Sequence, residues 1–352
     1  MEERQFYRAG EVKDKVTTKR HETFKRGISS GFHTLDEIIS FKPKSTTLIF
    51  SHPHVGKSVL TLDILTSIAE REPNAKIACF SPEFRTREEL IMAVIQQKIG
   101  KTLYGEYAQE VSDAEFMETI DWVDKFFIFL ERPKKTKEVS TTGLTITDIF
   151  RLCREAEVEY KTKITMLYVD PMNYIFRSKE EEKMAIQDYV LYLHDTTAEF
   201  SIALDVHTII VAHCRDVEML TDRETGVKYY DIPYASEVMG GQSNYRGANQ
   251  MIALWKVPSG MIDKSTGMPY PDDAIDVICR KAKPMGSGKL GTRRLYFNKS
   301  THKLEEEIGG IRYSANQYYK ALNPTAEPTT SANSSTTSAL KPSSKFDITD
   351  IF

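Results

Sequence analysis

Between residues 46 and 71 a short apolar run, TTLIF, leads into SHPHVGKS, and SVLTLDILTSIAER then continues with apolar residues at helical spacing. A buried strand turning into a helix at Gly-Lys-Ser lets loop N–H groups and a helix N-terminus cradle phosphate. The complete pattern, G-x-x-x-x-G-K-S/T, starts with glycine, and here Ser51 stands in that place. Two readings follow. In one the loop is a degenerate phosphate loop: Gly56 lets the backbone approach phosphate, Lys57 meets the β and γ phosphates, and the Ser58 hydroxyl holds Mg²⁺. In the other it is a plain strand, turn and helix with a surface lysine. The rest of the chain must decide.

Strand-like apolar runs recur at 46–50, 76–81, 126–131, 165–170, 207–213, 250–256, 274–280 and 293–298. Several lack polar alternation, as strands covered on both faces do. Helix-like stretches separate the early runs, at 58–71, 87–100, 146–161 and 184–201. Alternation of this kind specifies an α/β fold, a mainly parallel sheet with helices on both faces. The later runs are spaced by turns and predict antiparallel strands added at one edge. A hydrophobic content of 40 % over 352 residues is enough for a large core.

Three strand ends carry chemistry. TMLYVD ends in Asp170, placed to bind Mg²⁺. IACFSPEF puts Glu83 just past another run, suited to orient and deprotonate an attacking water. HTIIVAH ends in His213, where an imidazole can sense a γ-phosphate. Taken singly, these are a turn-initiating aspartate, a helix-entry acid and a capping histidine. Delivered together to one sheet edge, they favour the phosphate-loop reading.

The ordered set resembles the RecA-fold motor domain of DnaB-type replicative helicases and related phage primase-helicases, over about residues 25–300. The matching stretches are GISSGFHTLDEII, HVGKS, FSPEF, LYVDPMNYI, IIVAHCRD, GGQSNYRGANQMIALWK and CRKAKPMGSGKLGTRRLYFN. The resemblance implies a RecA-like P-loop NTPase using ATP and Mg²⁺. His54, Val55, Gly56, Lys57, Ser58 and Val59 would form the nucleotide loop, Ser58 and Asp170 would hold the metal, Glu83 would be the base and His213 the sensor. Lys281 and Lys283 would reach the nucleotide of a neighbouring subunit. Lysine stands at 283 where the family usually has arginine, and it offers a point charge without a planar fork, so Arg280 is a second candidate for that role.

For DNA the resemblance implies the Gly240 and Gly241 amides and the Gln242 side chain, with Arg215, Arg223 and Lys228 on an insertion after the sensor strand. Mobile turns and solvated surface charges are the plainer readings of the same residues. Met239 stands where the family's loop often carries a basic residue. Arg293 and Arg294, placed before the last apolar run, read as surface or interface residues. The activity implied is a ring-forming, homo-hexameric, ATP-dependent helicase moving on single-stranded DNA and opening forked duplex. A RecA-like strand-exchange ATPase and a weakly active nucleotide-binding scaffold or loader share the same motifs.

Composition adds limits. A net charge of −3 gives no global pull toward nucleic acid, so DNA affinity must arise locally or by assembly. Four scattered cysteines without a C-x-x-C pair suggest neither a disulfide framework nor a zinc site. No apolar run reaches a membrane span of roughly 18 residues, so the expectation is a cytoplasmic protein, and the resemblance implies a phage or bacterial replication setting. Residues 1–27 read as a charged arm, either a frayed extension or, as the resemblance implies for residues 4–26, a helix that packs on an adjacent subunit; it is too short for a primase or collar domain. Residues 28–320 form the motor and 321–345 a Ser/Thr/Pro-rich linker. FDITDIF, 346–352, is either a docking peptide for replication partners or a plain chain end.

Overall fold

The apolar runs become strands in the computed structural model, which describes residues 8–23, 26–132, 143–263, 267–284 and 286–323. In chain order, helix α1 (Lys13–Thr23) and the short α2 (His33–Asp36) precede β1 (Ser45–Ser51) and α3 (Lys57–Arg71). Then come β2 (Ile77–Phe80), α4 (Arg87–Ile99), α5 (Asp113–Phe126), β3 (Phe127–Phe129), α6 (Ile146–Glu159), β4 (Met166–Val169), α7 (Ile186–Leu204) and β5 (His207–His213). A small hairpin, β6 (Leu220–Thr221) and β7 (Lys228–Tyr229), leads to α8 (Gln242–Gly247) and β8 (Gln250–Lys256). The chain closes with β9 (Ala274–Ala282), β10 (Gly291–Asn298), β11 (Lys303–Ile308), β12 (Ile311–Ser314) and α9 (Gln317–Leu322).

Ten strands form one sheet in the order β12-β11-β10-β9-β8-β1-β5-β4-β2-β3. From β8 to β3 all neighbours are parallel, and β9 to β12 add antiparallel at one edge. This is the predicted α/β layout. Every residue of β1 is buried, because strands flank it and helices cover both faces. One apolar layer packs α3, α4 and α5 against Ile49, Cys79, Tyr168 and Val211. The other packs α6 and α7 against Leu48, Phe50, Val169 and Ile210.

Local chemistry sets the helix limits. Thr86 accepts from the Glu89 N–H at the start of α4, Ser112 does so from Glu115 for α5, and Thr145 with Asp148 forms a reciprocal cap for α6. Helix α4 stops at Gly100, in the left-handed region with φ 69°.

Outside the sequence reading lie α5, β11, β12 and α9, together with the short α2, β6, β7 and α8. Arg293 and Arg294 sit inside β10 and not ahead of it, and that strand is not the last, since β11 and β12 follow. They are tied within the chain, Arg293 to Glu37 and Arg294 to Asp276 at 2.7 and 3.1 Å. Glu306, which shares the inward face of β11 with Leu304, is fully buried and accepts from the His33 and Thr34 N–H groups, so a carboxylate from the sheet edge caps α2. Helix α1 is exposed along 13–20. Residues 1–7 of the expected arm, most of the 321–345 linker and the whole 346–352 peptide lie outside the described residues.

Candidate active site

Four strands of the parallel sheet end at one edge, and the candidate residues follow those ends. Ser51, the last residue of β1, pairs with His213, the last of β5. Asp170 directly follows β4, and Glu83 lies three residues past β2, in the loop before Thr86 caps α4. Glu83 is therefore a loop residue outside the helix. Its carboxylate is 3.8 Å from His213 Nε2.

The loop from Ser51 to Gly56 shows how a missing first glycine is tolerated. Position 51 is a strand residue, with no need for the left-handed region. The positive φ values fall at His54 (59°) and Gly56 (100°), and Gly56 is the N-cap of α3 with no side chain capping it. The helix N-terminus is therefore open to an anion. Val55 is buried in the core and Val59 packs at its margin, so the contribution of Val55 to a ligand is through its backbone.

Lys57 is buried, and its ammonium donates to Ser51 Oγ at 3.1 Å and to the His52 carbonyl at 3.2 Å. Burial lowers its pKa, while Asp170 and Glu83 act in the opposite direction. Ser58 Oγ donates to Asp170 Oδ2 at 2.8 Å, and the Tyr168 hydroxyl donates to the same oxygen. Asp170 Oδ1 is buried without a partner. Burial raises the Asp170 pKa against the pull of those two donors. His213 is pushed down by burial and then by Lys57, which keeps the imidazole neutral at pH 7.

A hydroxyl, a carboxylate oxygen lacking a buried partner and an open helix N-terminus fit a hard cation bound to polyphosphate. A cleft of about 690 Å³ lies over them, lined by His54, Gly56, Lys57, Ser58, Glu83 and His213 on one side. Lys256, Asp272, Ile275, Phe297 and Lys299 line the other. Sequence reasoning missed that second wall and Tyr168. The signal for Tyr168 was its place two residues before Asp170, on the same strand face.

The remaining candidates are elsewhere. An irregularity in the β8–β9 pairing sets Met251 opposite Lys281 and Ile252 opposite Cys279, leaving Arg280 as the extra residue. Arg280 stacks over Tyr234 and Lys281 over Tyr245. Lys281 is buried and donates to the Tyr245 and Arg246 carbonyls of α8. In this geometry the Lys281 ammonium bonds within its own chain, and Arg280 likewise faces Pro233 and Tyr234. Lys283 is exposed.

The Gly240–Gly241 segment is a turn into α8. Gly240 packs so closely on α7 that a Cβ would come within 2.5 Å of Val190. The Gly241 N–H donates to the Val238 carbonyl, so it is not the free phosphate donor expected of it. Gln242 and Arg215 are exposed, and the Arg215 N–H bonds the Glu237 carbonyl.

A family model of the DnaB-like helicase C terminal domain matches residues 27–306. The chain belongs to this DnaB-like helicase family. As a member it is an ATP-hydrolysing DNA helicase of the replicative type. Among solved structures, an isolated ATPase domain shares its fold, with a TM-score of 0.61 at 15 % identity, covering 86 % of this chain and all of that one. A DnaB-like replicative helicase, described with its interactions with primase, gives a TM-score of 0.61 at 15 % identity, covering 87 % of this chain and 68 % of the other. Comparison with curated proteins finds no match. No helix among the described residues of this helicase is long and apolar enough to cross a membrane.

Proposed function

We propose that this helicase works as a closed homo-hexameric ring that hydrolyses ATP between subunits to move along single-stranded DNA and open forked duplex. One observation carries the reading: Lys283 and the phosphate loop lie at opposite ends of the sheet. In β9, Ile275 pairs with Lys256 near the loop, whereas Ala282 pairs with Gln250 at the far end. The six steps from Gln250 to Lys256 on β8, at about 3.3 Å each, separate the two ends by about 20 Å. An exposed cation at that distance is out of reach of the nucleotide of its own subunit, which supports a role toward a neighbour's.

Within one subunit, Lys57 exchanges Ser51 and His52 for the β and γ phosphates, and the N–H groups at the start of α3 hold the phosphate oxygens. Ser58 and Asp170 would hold Mg²⁺, which neutralises charge on the phosphates when bound. Glu83 orients and deprotonates the attacking water, and neutral His213 beside it reads whether the γ-phosphate is present. The neighbour's Lys283 stabilises charge on the transferring group. Arg215, Gln242 and the Gly240 turn present the DNA-facing surface, with α8 held to the sheet by Lys281. The motor comprises residues 28–320 and continues into α9, where the Tyr319 hydroxyl bonds Asp36 at 2.7 Å. Residues 1–27 pack on the adjacent subunit through α1, and residues 346–352 dock replication partners from the end of the 321–345 linker.

Mixing variants tests the shared site. Lys57→Ala and Lys283→Ala chains, each inactive alone, should regain hydrolysis when combined, because some interfaces then pair an intact loop with an intact Lys283. Absence of rescue in mixed particles rules out the shared site. Open helical filaments with strand exchange, in place of closed rings, would move the reading to a recombination ATPase.

A further inference from the structure

The His52 ring, the Cys214 thiol and the Glu237 carboxylate converge beside the phosphate loop, and none of these three side chains has a part in the mechanism above. Their ligand atoms, an imidazole nitrogen, a thiol sulfur and a carboxylate oxygen, all lie within 4.8 Å of one another. His52 and Cys214 are buried, at 2 % and 4 % exposure, and Glu237 is half-buried. Three segments meet here: the loop after β1, the residue after His213, and the stretch leading to the Gly240–Gly241 turn.

The backbone fixes all three positions. The Cys214 N–H donates to the Ser51 carbonyl at 3.0 Å, Cys214 bridges Val238, and the Arg215 N–H donates to the Glu237 carbonyl at 2.7 Å. The His52 ring is stacked on Tyr230 at 4.6 Å, and Glu237 Oε2 accepts from the Tyr234 N–H at 3.2 Å. Little freedom remains beyond side-chain rotation.

The spacing suits a shared ion better than a direct contact. His52 Nε2 and Glu237 Oε2 are 3.5 Å apart, long for a charge-assisted hydrogen bond of about 2.7–2.9 Å. Two such ligands at about 2.05 Å on a tetrahedral zinc ion stand about 3.3 Å apart. His52 Nδ1 is buried without a protein partner, so the Nε2 face is the one turned toward Glu237 and an ion there leaves Nδ1 as a free donor. A set of one imidazole, one thiolate and one carboxylate favours zinc-class metals over Mg²⁺ or Ca²⁺, which avoid sulfur.

We propose that His52, Cys214 and Glu237 form a zinc-class metal site that staples the phosphate loop to the segment entering the Gly240–Gly241 turn. Binding converts the Cys214 thiol to thiolate and releases one proton to solvent. Three protein ligands leave a fourth position for water. Because His52 immediately follows Ser51, whose hydroxyl holds Lys57, the metal fixes one end of the nucleotide loop to the DNA-facing side. This site differs from the Ser58–Asp170 magnesium position, which offers only oxygen.

The test uses the full chain stripped with a chelator and titrated with Co²⁺ as a spectroscopic probe. The expected result is one equivalent bound with thiolate-to-cobalt charge-transfer absorption, displaced by Zn²⁺ and insensitive to excess Mg²⁺-ATP. Cys214→Ser should abolish the band while Cys153→Ser keeps it. Glu237→Gln should weaken Co²⁺ by at least about tenfold, the loss that follows even from removing an outer-sphere partner. If Cys214→Ser does not fold, the wild-type spectrum and Glu237→Gln still decide. A wild-type protein without the band, or a band that survives Cys214→Ser, overturns the proposal and leaves His52 and Glu237 as a direct side-chain contact.

Discussion

Replacing Ser51 by alanine should make nucleotide bind more tightly while making the protein less stable. In the nucleotide-free geometry Ser51 Oγ accepts from the Lys57 ammonium at 3.1 Å, and Ser51 is fully buried, so water cannot readily replace the lost oxygen. Hydrogen bonds to charged groups contribute about 1.5–3 kcal/mol. The His52 carbonyl at 3.2 Å remains as a partner, which points to the lower figure. When Lys57 moves to phosphate this bond is already broken, so its removal raises only the free state. At about 1.4 kcal/mol per decade, affinity should rise about tenfold. Equilibrium titration with a fluorescent ATP analogue, without DNA, measures affinity, and thermal unfolding without nucleotide measures stability. Ser51→Gly should match Ser51→Ala in affinity and lose about a further 0.5–1 kcal/mol of stability, because position 51 is a strand residue that gains nothing from glycine. Lower stability with unchanged or weaker affinity would show that Ser51 keeps Lys57, or serves the nucleotide itself, in the bound state.

Lys283→Ala should reduce hydrolysis by about 10³-fold or more while nucleotide affinity changes little, as expected for loss of a finger acting across subunits; steady-state kinetics beside binding titrations separates the two. Gly240→Ala should cost about 1–3 kcal/mol, because its Cβ would meet Val190 at 2.5 Å with φ at 82°, and chemical denaturation reads the change. His207 tests the pH dependence. It is buried, with Nδ1 against the Lys42 carbonyl at 2.6 Å and Nε2 against the Thr47 hydroxyl at 3.0 Å, and burial lowers its pKa from 6.5 to about 4. The unfolded chain therefore takes up the proton first as pH falls. The stability advantage of the wild type over His207→Gln should be full above pH 6.5 and shrink by about 3 kcal/mol as pH drops to about 4, measured by urea denaturation at each pH.

Most of the sheet was legible because its central strands are buried on both faces and read as uninterrupted apolar runs. The parallel core, the antiparallel edge and the edge shared by Glu83, Asp170 and His213 followed from order alone. Strand β11 escaped because its inward Glu306 breaks the apolar alternation, and that residue is buried to cap α2, a contact 272 residues away from Thr34. Helix α5 had a Ser112–Glu115 start signal and Phe116, Ile120 and Val123 at helical spacing, but its many acids masked the face. Lys281 looked like half of a Lys-x-Lys pair. The extra residue in β9 turned it toward α8, and a bulge leaves no mark in a single sequence. The role of Ser51 was hidden likewise, since the pattern shows only that a glycine is missing. Its bond to Lys57 exists only once β1 and α3 are in place.

The most direct test of the account is unwinding of a forked DNA with ATP hydrolysis recorded in the same reaction, wild type against Lys57→Ala. The account predicts ATP- and Mg²⁺-dependent strand separation by the wild type, hydrolysis stimulated by single-stranded DNA, and loss of both in Lys57→Ala. Unwinding that persists in Lys57→Ala, or wild-type hydrolysis that never separates a fork, would contradict it.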